Sequence, residues 1–308
     1  MKTAALSVFC SAFILTSGYA DIASTVAHWS YDSPTLTVVS GNITGVADLT
    51  GTHNATSGSG IGSATAANGG PTFTSNPIPA SNSVPGRFGE GLTLTGFNTA
   101  ALGGGQFLMY PELTELMAAA GAPSYTVSMW IKTANTNFNG FAGLSDWGNA
   151  ATSPGRFSYG FGPNTPTQMR GQTRFDNGSA NGVDIYARTP TTSTLNDSNF
   201  HMLLWTFDTG SGTIKSYFDG QLVETFTSAA TSFQMVTSSS QFGSLGLKGD
   251  TGTFINGSIT FDEIHVFRGA ASDAEIQNLF AINAVPEPTS SALLGIGALL
   301  LGIRRRDR

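Results

Sequence analysis

Two turns in the middle of the chain carry the side chains best suited to holding a ligand. Asp146, Trp147, Asn149 and Arg156 flank the first, and Asp176, Asn177 and Asp184 flank the second. A turn-borne tryptophan can stack on the apolar face of a sugar ring, while carboxylates and amide oxygens are the hard donors that calcium takes. Asp and Asn also populate turns for backbone reasons alone, so turn chemistry competes as an explanation of the same residues. Calcium is the candidate ion, and no donor set is fixed.

Catalytic patterns are weaker. Hydrolysis of a glycosidic bond needs two carboxylates flanking it. Asp262 and Glu263 come nearest, but adjacent strand residues face opposite sides, and Ile264-His265-Val266-Phe267 adds no acid at the alternate positions. His28, His53, His201 and His265 lack the i, i+4 helical spacing of a zinc protease, and His201 and His265 read as strand-face residues. The glycine runs at 58–62 and 103–105 are not followed by Lys-Ser or Lys-Thr, and no Gly-x-Ser-x-Gly elbow occurs. The chain therefore reads as a protein that is not an enzyme.

The elements that must position these residues are short strands. In Phe200–Thr227, Phe200, Met202 and Leu204 point to one side while Leu203, Trp205 and Phe207 point to the other. Both faces are apolar and both must be covered, which places this strand in the middle of a layered sandwich. Asp219-Gly220 is the dipeptide a two-residue hairpin prefers, because both central positions need positive φ. Further strands are expected at 26–31, 125–132, 140–145, 156–161, 168–175, 182–188, 242–248 and 254–268. Residues 40–85, rich in Gly, Ser, Thr, Ala, Asn and Pro with Asp48 as their one charge, read as a long surface loop. Asp48 and Asn54 would be its cation ligands if it rims a site. One short helix is expected from Pro111 to Ala120, and another after Ser272, where Ser272 and Glu275 form a capping box.

Composition agrees with this and narrows the partners. With 38 glycines and 21 phenylalanines against 11% charged residues, many short strands joined by turns are favoured over long helices. Net charge is −6 and no basic stripe is present, so nucleic acid is excluded as a partner. Cys10 is the one cysteine and lies in a candidate leader, which leaves the mature protein without a disulfide.

Both ends read as addresses. Lys2, the apolar run Ala4–Leu15 and the exit Gly18-Tyr19-Ala20 are laid out as a signal peptide over residues 1–20. At the other end, Pro286-Glu287-Pro288 precedes an uncharged run over 289–303 and then Arg304, Arg305 and Arg306. Such a helix reaches about 22 Å, short of a bilayer core of roughly 30 Å, and the arginines hold its end in the cytoplasm.

The order of these tail features resembles the PEP-CTERM sorting signal over 285–308. That resemblance implies recognition of Pro286, Glu287 and Pro288 by an exosortase-type processing enzyme. It also implies a transient anchor in the inner membrane and delivery to the cell surface or matrix of a polysaccharide-producing bacterium. Between the ends, HWSYD at 28–32, ADLTGTHNAT at 47–56, RFGEGLTLTG at 87–96, SYTVSMWIKT at 124–133, FHMLLWTFD at 200–208, SYFDGQLV at 216–223 and GSITFDEIHVFRGAASDAEI at 257–276 occur in series. Their order resembles laminin-G-like, concanavalin A-like jelly-roll domains over nearly all of Thr25 to Phe280. Phe200 departs from the family, which usually has tryptophan there.

The resemblance implies an all-β fold over 24–283: a concanavalin A-like jelly-roll β-sandwich of two antiparallel sheets. Two short helices and a C-terminal hydrophobic helix accompany it. The first strand and the strand around Phe261 would lie together, and loops at one rim or a concave face would bind ligand. The expected function is a non-catalytic module that binds carbohydrate or protein in extracellular polysaccharide. The alternatives are a structural surface protein without a small ligand, or a divergent polysaccharide hydrolase or lyase.

Overall fold

A computed structural model of the chain describes residues 25–57, 63–65, 72–96, 105–111, 113–116, 123–135, 143–146, 156–161, 168–175, 183–229, 242–246 and 257–284. Strands in the first half are β1 (Thr25–Trp29), β2 (Leu36–Val39), β3 (Asn42–Val46), β4 (Ala55–Thr56), β5 (Ser63–Thr65), β6 (Thr72–Thr74), β7 (Ile78–Pro79), β8 (Ser83–Pro85), β9 (Glu90–Gly96), β10 (Leu108–Pro111) and β11 (Tyr125–Thr133). Then come β12 (Leu144–Asp146), β13 (Arg156–Phe161), β14 (Gln168–Phe175), β15 (Val183–Thr191), β16 (Phe200–Asp208), β17 (Thr213–Phe218), β18 (Gln221–Thr227), β19 (Phe242–Leu245) and β20 (Gly257–Arg268). The helices are α1 (Thr192–Leu195) and α2 (Asp273–Ala284).

One sheet runs β18-β17-β16-β11-β20-β9-β8, with β1 also paired to β20. A second runs β15-β14-β13-β12-β19-β10-β4-β3-β2, with β7 on β3, and β5 and β6 pair in a small third sheet. The first strand and the Phe261 strand therefore lie together, His28 standing opposite His265.

The two faces of β16 meet different neighbours. Leu203, Trp205 and Phe207 join Val127, Met129, Ile131, Ile264 and Val266 in the core between the sheets, where Tyr110, Leu144 and Tyr159 close the other side. Met202 and Leu204 turn outward with Trp130 and Phe267 and are covered by Ile276 and Leu279 of α2. Each large apolar side chain buried in this way contributes roughly 1.5–3 kcal/mol. The outer face is thus roofed by a helix, and its period-3.6 pattern could not be matched to that strand from sequence alone.

The capping box forms at α2. Ser272 N–H donates to Glu275 Oε2 at 2.7 Å, and Glu275 N–H donates back to Ser272 Oγ at 3.3 Å. Replacing Ser272 with alanine should lower stability by about 1 kcal/mol, read as a shift in denaturation midpoint with unchanged slope. At the β17–β18 hairpin both Asp219 (φ 48°) and Gly220 (φ 77°) are left-handed, as the two-residue turn requires.

Two expectations change. Within 40–85, expected as loop, β3 pairs with both β4 and β7 as part of the second sheet, and Ile43, Val46, Ala55 and Ile78 are buried. Strands of two to five residues present too few alternations to be legible against so many small polar residues. Residues 111–120, expected as a helix, end β10 at Pro111 and make only a 3-10 turn over Thr114–Leu116 among the described residues. Among the described residues no helix is long and apolar enough to cross a membrane. The leader, the Pro286-Glu287-Pro288 element, the hydrophobic tail helix and Arg304 to Arg306 lie outside the described residues.

Candidate functional site

Register brings three of the expected ligand-binding residues, Asp146, Arg156 and Asp184, to one end of a sheet. Asp146 ends β12 and pairs with Phe157, next to Arg156 at the start of β13. Arg156 stands opposite Arg174 on β14, and Arg174 opposite Asp184 on β15. Asp146, Arg156 and Asp184 are therefore placed at one end of four neighbouring strands. The connections leaving that end carry Trp147 and Asn149 in one case and Asp176 and Asn177 in the other, and these four lie outside the described residues.

Asp48 and Asn54, the other expected cation ligands, have different work. Asp48 is buried, and its Oδ1 accepts the N–H of His28 at 2.8 Å and of Thr50 at 3.1 Å. Oδ2 accepts the Thr50 hydroxyl, Thr52 N–H at 3.2 Å and His53 N–H at 2.9 Å. Asn54 Oδ1 accepts Asp48 N–H at 2.9 Å. Asp48 holds the 48–54 turn against β1 and Asn54 closes it, their oxygens committed to backbone donors and the Thr50 hydroxyl. Burial pushes the Asp48 carboxyl up, but the Thr50 hydroxyl and the three backbone donors at His28, His53 and Thr50 outweigh it and hold its pKa below the ordinary value.

The four histidines are each placed against a carboxylate. His53 Nε2 meets Glu115 at 3.0 Å, and His201 lies between Asp219 at 2.8 Å and Asp197 at 3.1 Å while stacking on Phe218. His28 Nε2 and His265 Nε2 converge on Oε2 of Glu263, at 2.5 Å and 3.0 Å. Sequence reasoning missed this cluster, because His28 and Glu263 are 235 residues apart and only the β1–β20 pairing joins them. The available signal was Glu263-x-His265, two residues apart on one face of a strand.

A β-bulge corrects the expectation that Asp262 and Glu263 face opposite sides. Ser128 of β11 pairs with His265 and Trp130 with Asp262, so Glu263 and Ile264 together oppose Met129. Ile259 and Phe261 before the bulge, and Ile264 and Val266 after it, all enter the inner core, which leaves Asp262 and Glu263 both on the outer face. Glu263 takes φ 49°, a left-handed value that costs a non-glycine residue about 1 kcal/mol or more.

Both acids are engaged by protein partners. Asp262 is fully buried, and its Oδ2 accepts the N–H groups of Arg87 at 2.7 Å and Phe88 at 2.9 Å, pinning the 86–89 turn to the sheet. Burial pushes its pKa up to about 8, with the charges of Glu263 and Asp32 adding to the rise against the two backbone donors. Burial also raises Glu263, but hydrogen bonds from His265 and His28 prevail and keep it ionised below the ordinary carboxylate range. Burial holds His265 below its ordinary value and therefore neutral near pH 7.

A separate polar cleft of about 310 Å³ is lined by Gly86, Arg87, Lys132, Ser198, Asn199 and Phe200. The Lys132 ammonium lies 5.6 Å from the centre of the Phe200 ring, and the Arg87 guanidinium 5.1 Å from that of Trp130. Cations over aromatic rings are attracted by the ring quadrupole.

Two antiparallel sheets closed face to face over one core define the class as a lectin-like jelly roll. The chain belongs to the concanavalin A-like lectin/glucanases superfamily, whose laminin-G pattern matches residues 103–277, more than half of its length. The PEP-CTERM protein-sorting motif matches residues 284–306. No curated protein sequence matches the chain. Among solved structures, the receptor binding domain of botulinum neurotoxin D is 9% identical, with a TM-score of 0.54 over 85% of this chain and 53% of that one. The binding domain of botulinum neurotoxin serotype G is 11% identical, with a TM-score of 0.52 over 84% and 51%. That of paraclostridial mosquitocidal protein 1 is 13% identical, with a TM-score of 0.50 over 83% and 51%. The chain spans about half the length of these structures, and at such identity the likeness is one of fold.

Proposed function

We propose that the protein works outside the cell as a non-catalytic module that holds glycan or surface protein within extracellular polysaccharide. Its contact surface is the rim carrying Asp146, Trp147, Asn149, Arg156, Asp176, Asn177 and Asp184, with calcium as the bridging ion. The sorting motif indicates export with a C-terminal anchor, and it implies processing by an exosortase-type enzyme at Pro286-Glu287-Pro288. The signal peptide over residues 1–20 would supply the route.

The observation that supports this reading is the register of β12 to β15, which brings the strand-end residues Asp146, Arg156 and Asp184 to one end of one sheet. Further support is that Asp262 and Glu263, the acids a hydrolase would need, are engaged in holding a turn and two imidazoles. A glycan array probed with the full chain, before and after EDTA, tests it. Binding should appear and fall at least roughly tenfold in Trp147→Ala, as expected for a stacking anchor. Calcium and not zinc should restore it after chelation. A silent array, or release of oligosaccharide from the polymer, would overturn the reading.

One observation favours a structural coat protein instead. Edge strands β2 and β18 expose Val38, Val39, Leu222 and Val223, and unpaired strand edges template association. Light scattering of the purified chain decides this: a concentration-dependent mass abolished by Val39→Lys would favour the coat.

A further inference from the structure

We infer that His28, Glu263 and His265 form a site for a single zinc-class divalent cation that fastens β1 to β20. The ligand atoms of the three side chains all lie within 4.8 Å of one another. Both imidazoles present Nε2 to the same carboxylate oxygen, at 2.5 Å and 3.0 Å, with ring centroids 3.6 Å apart. A tetrahedral ion with bonds of about 2.0–2.2 Å spaces its ligands roughly 3.3 Å apart, so an opening of less than about 1 Å would seat it.

The donor set selects the ion. Two imidazole nitrogens and one carboxylate are the ligands of catalytic-type zinc centres and unlike the all-oxygen shells of calcium and magnesium. The His28 and Glu263 side chains are 12% and 11% exposed, against 4% for His265, so the cluster reaches solvent on its His28 and Glu263 side. The bulge at Glu263 orients this donor set. A left-handed glutamate is held in β20 where it aims the carboxylate at the cross-strand histidine pair.

The site has a mechanical reason. Among the described residues β1 pairs with no strand but β20, through four register positions, and Cys10 as the one cysteine leaves no disulfide to secure it. An ion bridging His28 on β1 to Glu263 and His265 on β20 would tie that strand down after export. This inference is independent of the rim and of any glycan.

The test uses the full chain stripped of metal by chelation, with zinc chloride and cobalt chloride as probes. Zinc titration should saturate at one ion per chain, and cobalt should give the visible bands of a low-coordinate nitrogen–oxygen site that zinc quenches. His28→Gln and His265→Gln should each weaken zinc binding at least roughly thirtyfold. Glu263→Gln, which keeps shape and hydrogen-bonding capacity, should do the same in a chain whose circular dichroism is unchanged. His201→Gln should bind zinc as the parent does. Failure of the parent to take up zinc, or binding unaffected by both Glu263→Gln and His28→Gln, would overturn the inference and leave a hydrogen-bonded triad.

Discussion

Replacing Trp205 with alanine should cost about 4 kcal/mol of folding stability, the largest single effect expected in this chain. The indole is buried between the sheets, and its Nε1–H donates to Ala187 O at 3.1 Å, reaching from β16 across to β15. Its ring centre is 5.6 Å from that of Tyr159. The second sheet makes room through Gly171, where a methyl group would come within 2.6 Å of both the Trp205 and Tyr159 rings. Alanine at 205 therefore removes the apolar area, the hydrogen bond and the surface on which Tyr159 rests, leaving a void that close-packed neighbours cannot refill. Gly171→Ala is the converse experiment, and overpacking should cost roughly 1–3 kcal/mol. Urea titrations of both variants check the pair, and a Trp205→Ala value under about 2 kcal/mol would mean that the sheets do not meet there.

The second large effect is expected at Asp48. Alanine there strands the buried backbone donor at His53 and the partly buried donors at His28, Thr50 and Thr52, and should cost about 3 kcal/mol. The pH dependence has a definite sign. Asp48 is held below its ordinary value in the folded protein, while the unfolded chain titrates near about 3.9. Its contribution is therefore present above the unfolded value and is lost as pH falls through the folded one. Acid unfolding followed by circular dichroism should show a flatter low-pH limb in Asp48→Asn than in the parent. An unchanged limb would mean that the carboxylate carries no linkage.

Where one strand carries enough alternation, the fold was legible. β13 and β14 fall on the expected residues, because six to eight residues of strand bounded by Gly, Pro or Asn leave little choice of boundary. The Asp219-Gly220 turn and the Ser272–Glu275 cap were legible for the same reason, since each is decided by residues within one turn of each other. The strands of 42–85 were not. Ile43, Val46, Ala55 and Ile78 are single buried residues on separate short segments, and their burial depends on partners from elsewhere in the chain.

Chemistry at the candidate sites divides along the same line. By itself the sequence determined that the chain is rich in strand and turn, poor in charge and without a disulfide outside its leader, and that its tail carries an ordered sorting motif. These follow from composition and from neighbours along the chain. Tertiary structure alone decided that His28 meets Glu263 and His265, that Asp262 and Glu263 share a face, and that Tyr125 of one sheet hydrogen-bonds to Tyr159 of the other at 2.6 Å. Alternation assigns a residue to a face only while a strand stays regular. Cross-strand register and a single bulge are fixed by packing against distant segments, so the contacts they create have no signature within any local window.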